Sequence, residues 1–407
     1  MGGSPSRVRV TGPLVPYAAG FRAELEAQGY LLHPVCDQLR VMAHVSRWLG
    51  AGGLGVGDLT PERVEEFLVA RRKAGYVLWC SPKGVAPLLA HLRGVGAVPL
   101  PEPTIPTTPA EQLLEDFRAY LVEERGLAAA TVASDLHVAR LFLATRPQAG
   151  LGLADLSASE ILDFVREECR HRSTGSARYV TAGLRAFLRF CHLTGHTSRP
   201  LADAVPKIAS WRLAALPRAL EPAAVAALPQ SCDRRTTFGR RDFAALMLLS
   251  RLGLRAGEVA ALRLEDVDWR QGELLIRGKG PKHERLPLPT DVGEAIASWL
   301  RRGRPRCEVR EVFTRVRAPH RRLSTTGITA IVIAACKRAG IPEVSAHRLR
   351  HSAATQMLAA GAGLTEIGQV LRHRSVLTTA IYAKVDRSSL RSLAKPWPAT
   401  DAGTVTR

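Results

Sequence analysis

A chain of 407 residues with 46% hydrophobic content is long enough for two or three domains with real cores, and an aromatic share of 5% predicts cores built mostly of Leu, Ala and Val. Lys and Arg total 57 against 37 Asp and Glu, a charge of +20 with histidine neutral, so a polyanion is the natural partner. Double-stranded nucleic acid fits best, because each neutralised phosphate releases condensed counterions, although an Arg- and Ala-rich composition can be basic by bias alone. The sequence has neither an apolar run long enough to span a bilayer nor a basic amphipathic segment standing apart as an anchor, which argues against a membrane partner. The seven cysteines are scattered without C-x-x-C spacing and read as small core hydrophobes in a reducing compartment. With no apolar stretch of a secretory signal after Met1, a cytoplasmic, nucleoid-associated place in a bacterium is expected.

In chain order, residues 1–98 predict a helical module, 99–108 a proline-rich linker and 109–204 a second helical module. The proline-bearing, basic connector of 205–216 precedes a mixed domain over 217–387 and a tail over 388–407. The two helical modules match each other. Phe21 and Leu25 align with Phe117 and Leu121, Asp58-Leu59-Thr60 with Asp155-Leu156-Ser157, and Val64, Phe67 and Leu68 with Ile161, Phe164 and Val165. The offset stays at 96 or 97, which predicts a duplicated all-α unit. Ser157-x-x-Glu160 predicts a capping box and Thr60-Pro61 a capped first turn. The third domain predicts α+β. A helix runs from Asp242 to Leu252, and strands cover Gly272–Arg277 and Arg285–Leu288 around a Gly278-Lys279-Gly280-Pro281 turn. Helices follow over Val292–Arg301, Thr326–Arg338, His347–Ala360, Leu364–Leu371 and Thr378–Val385.

Chemistry concentrates in this third domain. Arg255 follows Gly253, with Gly253 and Gly257 allowing sharp turns, and Glu258 begins the next helix where it can orient the guanidinium. Lys279 sits at a hairpin tip between glycines, and Lys282 competes for its role. His347, Arg350 and His351 share one helix face, where a guanidinium offers paired donors to phosphate oxygens and an imidazole moves a proton near neutral pH. His373 and Tyr382 lie in a segment whose Val376, Leu377 and Ile381 bury one side. Singly, each has an ordinary reading: surface arginine, polar-turn lysine, basic helix face, core-edge phenol. Metal binding by the histidines is disfavoured, since no H-E-x-x-H or carboxylate spacing accompanies them, and no cofactor is expected. Lys282, Arg285 and Arg212 are candidate DNA contacts.

Taken in order, Leu254-Arg255-x-x-Glu258, Gly278-Lys279-Gly280, His347-x-Leu349-Arg350-His351, Leu371-x-His373 and Tyr382 resemble the tyrosine recombinase (phage integrase) family, in its XerC/XerD-like form. The resemblance runs from about Pro109 to Val385. It implies a SAM-like helical core-binding domain at 109–204 and, by their likeness to each other, two such modules. There are departures: Arg372 stands where the family usually has glycine, Leu252 replaces a small hydroxyl residue, and the hairpin after Lys279 is offset by one residue.

The resemblance implies that Tyr382 attacks the scissile phosphate to form a 3′-phosphotyrosyl bond. His347 would accept the proton, Arg255 and Arg350 would bracket the phosphate oxygens, Lys279 would protonate the leaving 5′-oxygen and His373 would donate to the phosphate. Glu258 and His351 are supporting residues. It further implies a homotetramer on two DNA sites, or a mixed assembly with related recombinases, and the short segment from Ser388 to Leu393 would dock on a neighbour. A type IB-like topoisomerase and a non-catalytic DNA-binding accessory protein are the alternatives.

Overall fold

The computed structural model describes residues 8–100, 106–146, 151–209, 219–278 and 283–372, together with Thr379. It is mostly helical, with one small antiparallel sheet, and divides into two compact units: Met1–Leu100 with Ala215–Arg407, and Pro101–Ala214. No helix among the described residues is long and apolar enough to cross a membrane.

Within the first unit, residues 8–100 form four helices: α1 (Ala18–Ala27), α2 (Leu32–Ala51), α3 (Pro61–Lys73) and α4 (Pro82–Gly94). The described residues of Pro101–Ala214 also carry four α-helices: α5 (Pro109–Ala119), extended by a π-helical turn at Tyr120–Glu124, then α6 (Ala129–Leu143), α7 (Ala158–Cys169) and α8 (Thr174–Leu193). The starts of α3, α5, α7 and α8 carry capping side chains, those of α3 and α7 as the sequence pattern predicts. Ser157 Oγ accepts from the Glu160 amide and Glu160 reaches back to the Ser157 amide; Thr60 Oγ1 accepts from the Arg63 amide ahead of Pro61. A second capping box, Thr108 with Glu111, starts α5 directly after the proline-rich stretch. Glu160, bound by Arg146 and by Ser157, is held down at a pKa of about 2.

The aligned positions of the two helical sets are buried alike: Phe21 and Phe117, Leu25 and Leu121, Leu59 and Leu156, Val64 and Ile161, Leu68 and Val165. The scarce aromatics gather in the core of Pro101–Ala214. Phe117 packs edge-on to Phe187 at 5.2 Å between ring centres, and Phe142 does the same to Phe164 at 5.1 Å.

The remainder of the first unit is α+β. The helices are α9 (Pro222–Gln230), α10 (Thr237–Arg251), α11 (Ala256–Ala261), α12 (Thr290–Arg302), α13 (Thr325–Arg338), α14 (Ala346–Ala359) and α15 (Leu364–Val370). The strands are β1 (Val267–Asp268), β2 (Glu273–Arg277) and β3 (His283–Pro287), in the order β1-β2-β3 with both pairings antiparallel. The two-residue strand β1 is absent from the sequence reading, being too short to show alternation. Leu246, Leu248 and Leu249 of α10, Leu274 and Ile276 of β2, Trp299 of α12 and Leu349 of α14 share one core. Trp299 is fully buried and satisfies its indole N–H on the Val312 carbonyl at 2.8 Å. In this unit Gly29 also lies against the His320 ring, so that a Cβ there would fall 2.3 Å from Nε2. Its neighbour Tyr30 feels the charges of Arg315 and Arg321, while burial raises its phenol pKa overall.

The turn between α10 and α11 positions the chemistry. Gly253 sits at φ +58, in the left-handed region, and a Cβ on it would lie 2.6 Å from Leu371 Cδ2. Gly257, expected to make a second sharp turn, lies instead inside α11. Both the conformation and the contact require glycine at 253. Gly253→Ala is therefore expected to destabilise the protein by about 1–3 kcal/mol, read as a lower urea midpoint, whereas Gly257→Ala costs far less. Equal midpoints for the two variants would contradict this.

Candidate active site

Arg350 organises the site. It is only 2% exposed, and its two terminal nitrogens reach in different directions. Nη1 donates to the Gly253 carbonyl at 2.7 Å, and Nη2 donates to the Leu371 carbonyl. A single guanidinium on α14 thus fastens both the turn that ends two residues later in Arg255 and the C-terminal end of α15. The fork geometry of arginine suits this better than the point charge of lysine.

Arg255 is the N-cap residue of α11, with extended backbone, and its side chain is 45% exposed. Glu258, three residues on, takes Arg255 Nη1 on Oε1 at 2.6 Å and the Arg255 amide on Oε2 at 2.9 Å. Glu258 Oε2 also accepts from Arg372 Nη2 at 2.7 Å. Arg372 in turn receives Arg255 Nη2 on its backbone carbonyl at 3.4 Å. One carboxylate is therefore shared by two guanidiniums. Burial would raise the pKa of Glu258, but the Arg255 amide, the Arg372 charge and the Arg255 guanidinium outweigh it, and the carboxyl lies below its usual value.

His347 and His351 lie one turn apart on α14, with ring centres 4.5 Å apart and nearly perpendicular. Burial first, then the charges of Arg350 and Arg255, lower the pKa of His347. Burial, then His347 and Arg350, push His351 down to about 4. Both imidazoles are thus held toward the neutral form near neutral pH.

Other predicted residues fall elsewhere. Arg285 on β3 is engaged by Glu273 at 2.9 Å, with Asp268 at 4.0 Å. Arg277 pairs with the buried Asp266 at 2.6 Å and so anchors the turn-proximal end of β2. Lys279 and Lys282, between the paired residues Arg277 and His283, lie outside the described residues, as do Arg212, His373, Tyr382 and Ser388–Leu393. Thr379 is buried and packs on α15, where a Cβ on Gly368 would lie 3.0 Å from its hydroxyl. The structure thus brings Arg255, Glu258, Arg350, His347 and His351 into one neighbourhood. It adds Arg372, which the sequence marks only as a departure from glycine at the residue before His373.

The histidines give the site a pH signature. The unfolded chain protonates histidine near pH 6.5, whereas folded His351 does so only near 4. Between those values the unfolded state binds more protons, so stability falls as pH falls through the window and is independent of this residue above it. His347 acts in the same direction. His351→Gln should therefore show a smaller drop in urea midpoint than the wild type between about pH 7 and about pH 5. An equal or larger drop in the variant would remove this account.

Comparison with known proteins identifies the family. The family model described as "Phage integrase family" matches residues 218–389. The chain is 40% identical over 396 residues to "Putative integrase/recombinase y4rA" of Sinorhizobium fredii, with 95% of each chain covered. It is 31% identical over 289 residues to "Tyrosine recombinase XerD" of Listeria monocytogenes, with 70% of this chain and 97% of that one covered. Among solved structures, a lambda integrase(75-356) dimer bound to a COC' core site aligns at TM-score 0.54 and 17% identity, over 72% of this chain and 99% of that one. XerH site-specific recombinase bound to palindromic difH substrate, in its post-cleavage complex, aligns at TM-score 0.54 and 17% identity, over 74% and 99%. The last two show likeness of fold. On the sequence relationships, the chain belongs to the phage integrase family of tyrosine recombinases, enzymes that transfer DNA strands in site-specific recombination.

Proposed function

We propose that the protein cuts and rejoins double-stranded DNA through a 3′-phosphotyrosyl intermediate formed on Tyr382. The observation that carries this reading is the convergence of Arg255, Arg350 and two imidazoles of depressed pKa on the turn at Gly253. The phenol oxygen of Tyr382 bonds to phosphorus, the bond from phosphorus to the 5′-oxygen breaks, and the 5′-hydroxyl leaves with a proton. A phenol has a pKa of about 10 and needs a base, for which a neutral His347 is suited. Arg255 contributes an exposed guanidinium to the non-bridging oxygens. Arg350 contributes its charge while anchoring the turn, so that both favour the charge developing in the transition state. Lys279 serves the leaving 5′-oxygen, His373 the phosphate, and His351 supports His347. The ester conserves bond energy, so rejoining is attack of a 5′-hydroxyl on the phosphotyrosine.

One such site cuts one strand, so exchange between two duplexes calls for four copies. Lambda integrase is known as a tetramer bound to a Holliday junction. We propose a homotetramer on two DNA sites, with strand exchange for a mobile element as its use. The aligned caps and buried positions of α1–α4 and α5–α8 support a duplication of one SAM-like helical module. Residues 109–204 are the core-binding clamp, 217–387 the catalytic domain and 1–98 an added DNA- or protein-contacting module.

A nicked suicide duplex carrying the element's own site tests the nucleophile. Wild type traps a covalent adduct at the 3′ phosphate and Tyr382→Phe traps none; adduct with the phenylalanine variant would exclude Tyr382. Relaxation of nonspecific supercoiled plasmid by monomer would favour a type IB-like topoisomerase, and absence of adduct from the wild type would favour an accessory DNA-binding role. Removing residues 1–106 is expected to weaken or alter DNA binding in a footprint while adduct formation persists. A truncated protein with the same footprint, affinity and assembly would remove the proposed role of the first module.

A further inference from the structure

Arg372 is retained at three local costs. It is not glycine, yet its backbone sits at φ +55, a conformation that side chains other than glycine, Asn and Asp seldom adopt. Its side chain is only 6% exposed, so a long cation has been taken out of water. Its Nε is buried with no hydrogen-bond partner. Outliers of this kind persist where the surroundings over-determine them, and they gather at functional sites.

What Arg372 touches explains the retention. Nη2 holds Glu258 Oε2 at 2.7 Å, Nη1 holds the Val370 carbonyl at 3.2 Å, and its own carbonyl lies 3.4 Å from Arg255 Nη2. Glu258 is the carboxylate that orients Arg255, and it is itself only 8% exposed. With Arg372 present, Glu258 Oε2 is divided between Arg372 and the Arg255 amide, and Arg255 meets the carboxylate side-on through Nη1 alone. Without Arg372, a buried carboxylate would have one guanidinium to satisfy it, and the favoured geometry for that pair is the two-pronged fork. Arg255 would be drawn back onto Glu258, and its charge would be cancelled where a phosphate needs it.

On the reading that Arg255 faces the scissile phosphate, we propose that Arg372 is a positioning residue for Arg255. It neutralises part of Glu258, and its carbonyl fixes the second terminal nitrogen, so that Arg255 stays turned outward. Glycine at this position would supply the backbone conformation and the same carbonyl, but not the charge that shares Glu258.

The test uses the full chain with Arg372→Gly, Arg372→Lys and the double variant Glu258→Gln/Arg372→Gly. The glycine variant relieves the backbone, so it is expected to fold, which thermal melting checks. On the suicide duplex, Arg372→Gly should slow single-turnover cleavage by about ten- to hundred-fold, the cost of a misplaced catalytic group, with the Kd for the duplex unchanged. Arg372→Lys should keep most of the rate. The double variant should regain most of the loss, because the uncompensated carboxylate is gone. Wild-type cleavage by Arg372→Gly, or a double variant no faster than the single one, would overturn the proposal.

An independent readout is the Arg255 Nε–H resonance in 15N-labelled protein, identified by its loss in Arg255→Lys. It should move in Arg372→Gly and return toward its wild-type position in the double variant, and an unmoved resonance overturns the proposal whatever the DNA result. If the wild type forms no adduct while the resonance behaves as expected, the recombinase reading falls and the coupling of Arg372 to Arg255 stands.

Discussion

The catalytic part of this protein depends on one buried guanidinium. Arg350 comes from α14, but the groups it binds are the carbonyls of Gly253, after α10, and Leu371, after α15. Gly253 and Leu371 are distant in sequence, and each follows a helix end and offers a carbonyl that no helix satisfies. A buried carbonyl without a donor costs about 1–3 kcal/mol, and a charged donor serves two at once. The same contacts place the next two residues, Leu254 and Arg255, on a fixed path, so orientation at the site follows from the backbone accounting of the core. The glycine at 253 completes the arrangement, because a side chain there would collide with Leu371, the other residue Arg350 holds.

Charge at the site is set by a contest over Glu258. Arginines concentrated in a partly desolvated space repel one another and would oppose folding in the absence of DNA. A single buried carboxylate relieves this. If Arg255 meets a phosphate, as proposed, the carboxylate must not relieve it too well, since an ion pair that fully satisfies Arg255 would compete with substrate. On that reading, sharing Glu258 between Arg255 and Arg372 meets both demands. The imidazoles are held toward the neutral form first by burial and then by the positive charges around them.

Much of this was legible in the sequence, and for identifiable reasons. The helix starts at Pro61 and Ala158 follow cap residues, and the α14 face carrying His347, Arg350 and His351 is fixed by helical spacing alone. The β2–β3 hairpin shows through its flanking glycines and prolines. Strand β1 does not, because two residues carry no period and its pairing with β2 is decided by tertiary contact. The sequence also suggests that Arg350 should face an anion, whereas its nitrogens on Gly253 and Leu371 depend on which carbonyls the fold leaves unpaired. Arg372 was visible only as a residue where the family has glycine. That substitution alone suggests a disturbed turn, and only the ion pair with Glu258 gives it a purpose.

The positive φ values at Gly253 and Arg372 bear on each other. Each stands just after a helix ends, α10 in one case and α15 in the other, and Arg350 bonds to Gly253 itself and to Leu371, the residue before Arg372. At the first position the chain pays in side-chain freedom, since glycine is required. At the second it keeps a side chain and accepts backbone strain. The asymmetry is physically sensible. Position 253 is walled by Leu371 and has no room for a side chain, while position 372 opens beside a buried carboxylate that needs a cation. A glycine at both would give the same backbone path, with Glu258 left to Arg255 alone. On the proposed role of Arg372, the residue at this position tunes the charge presented at the site while the backbone keeps its path.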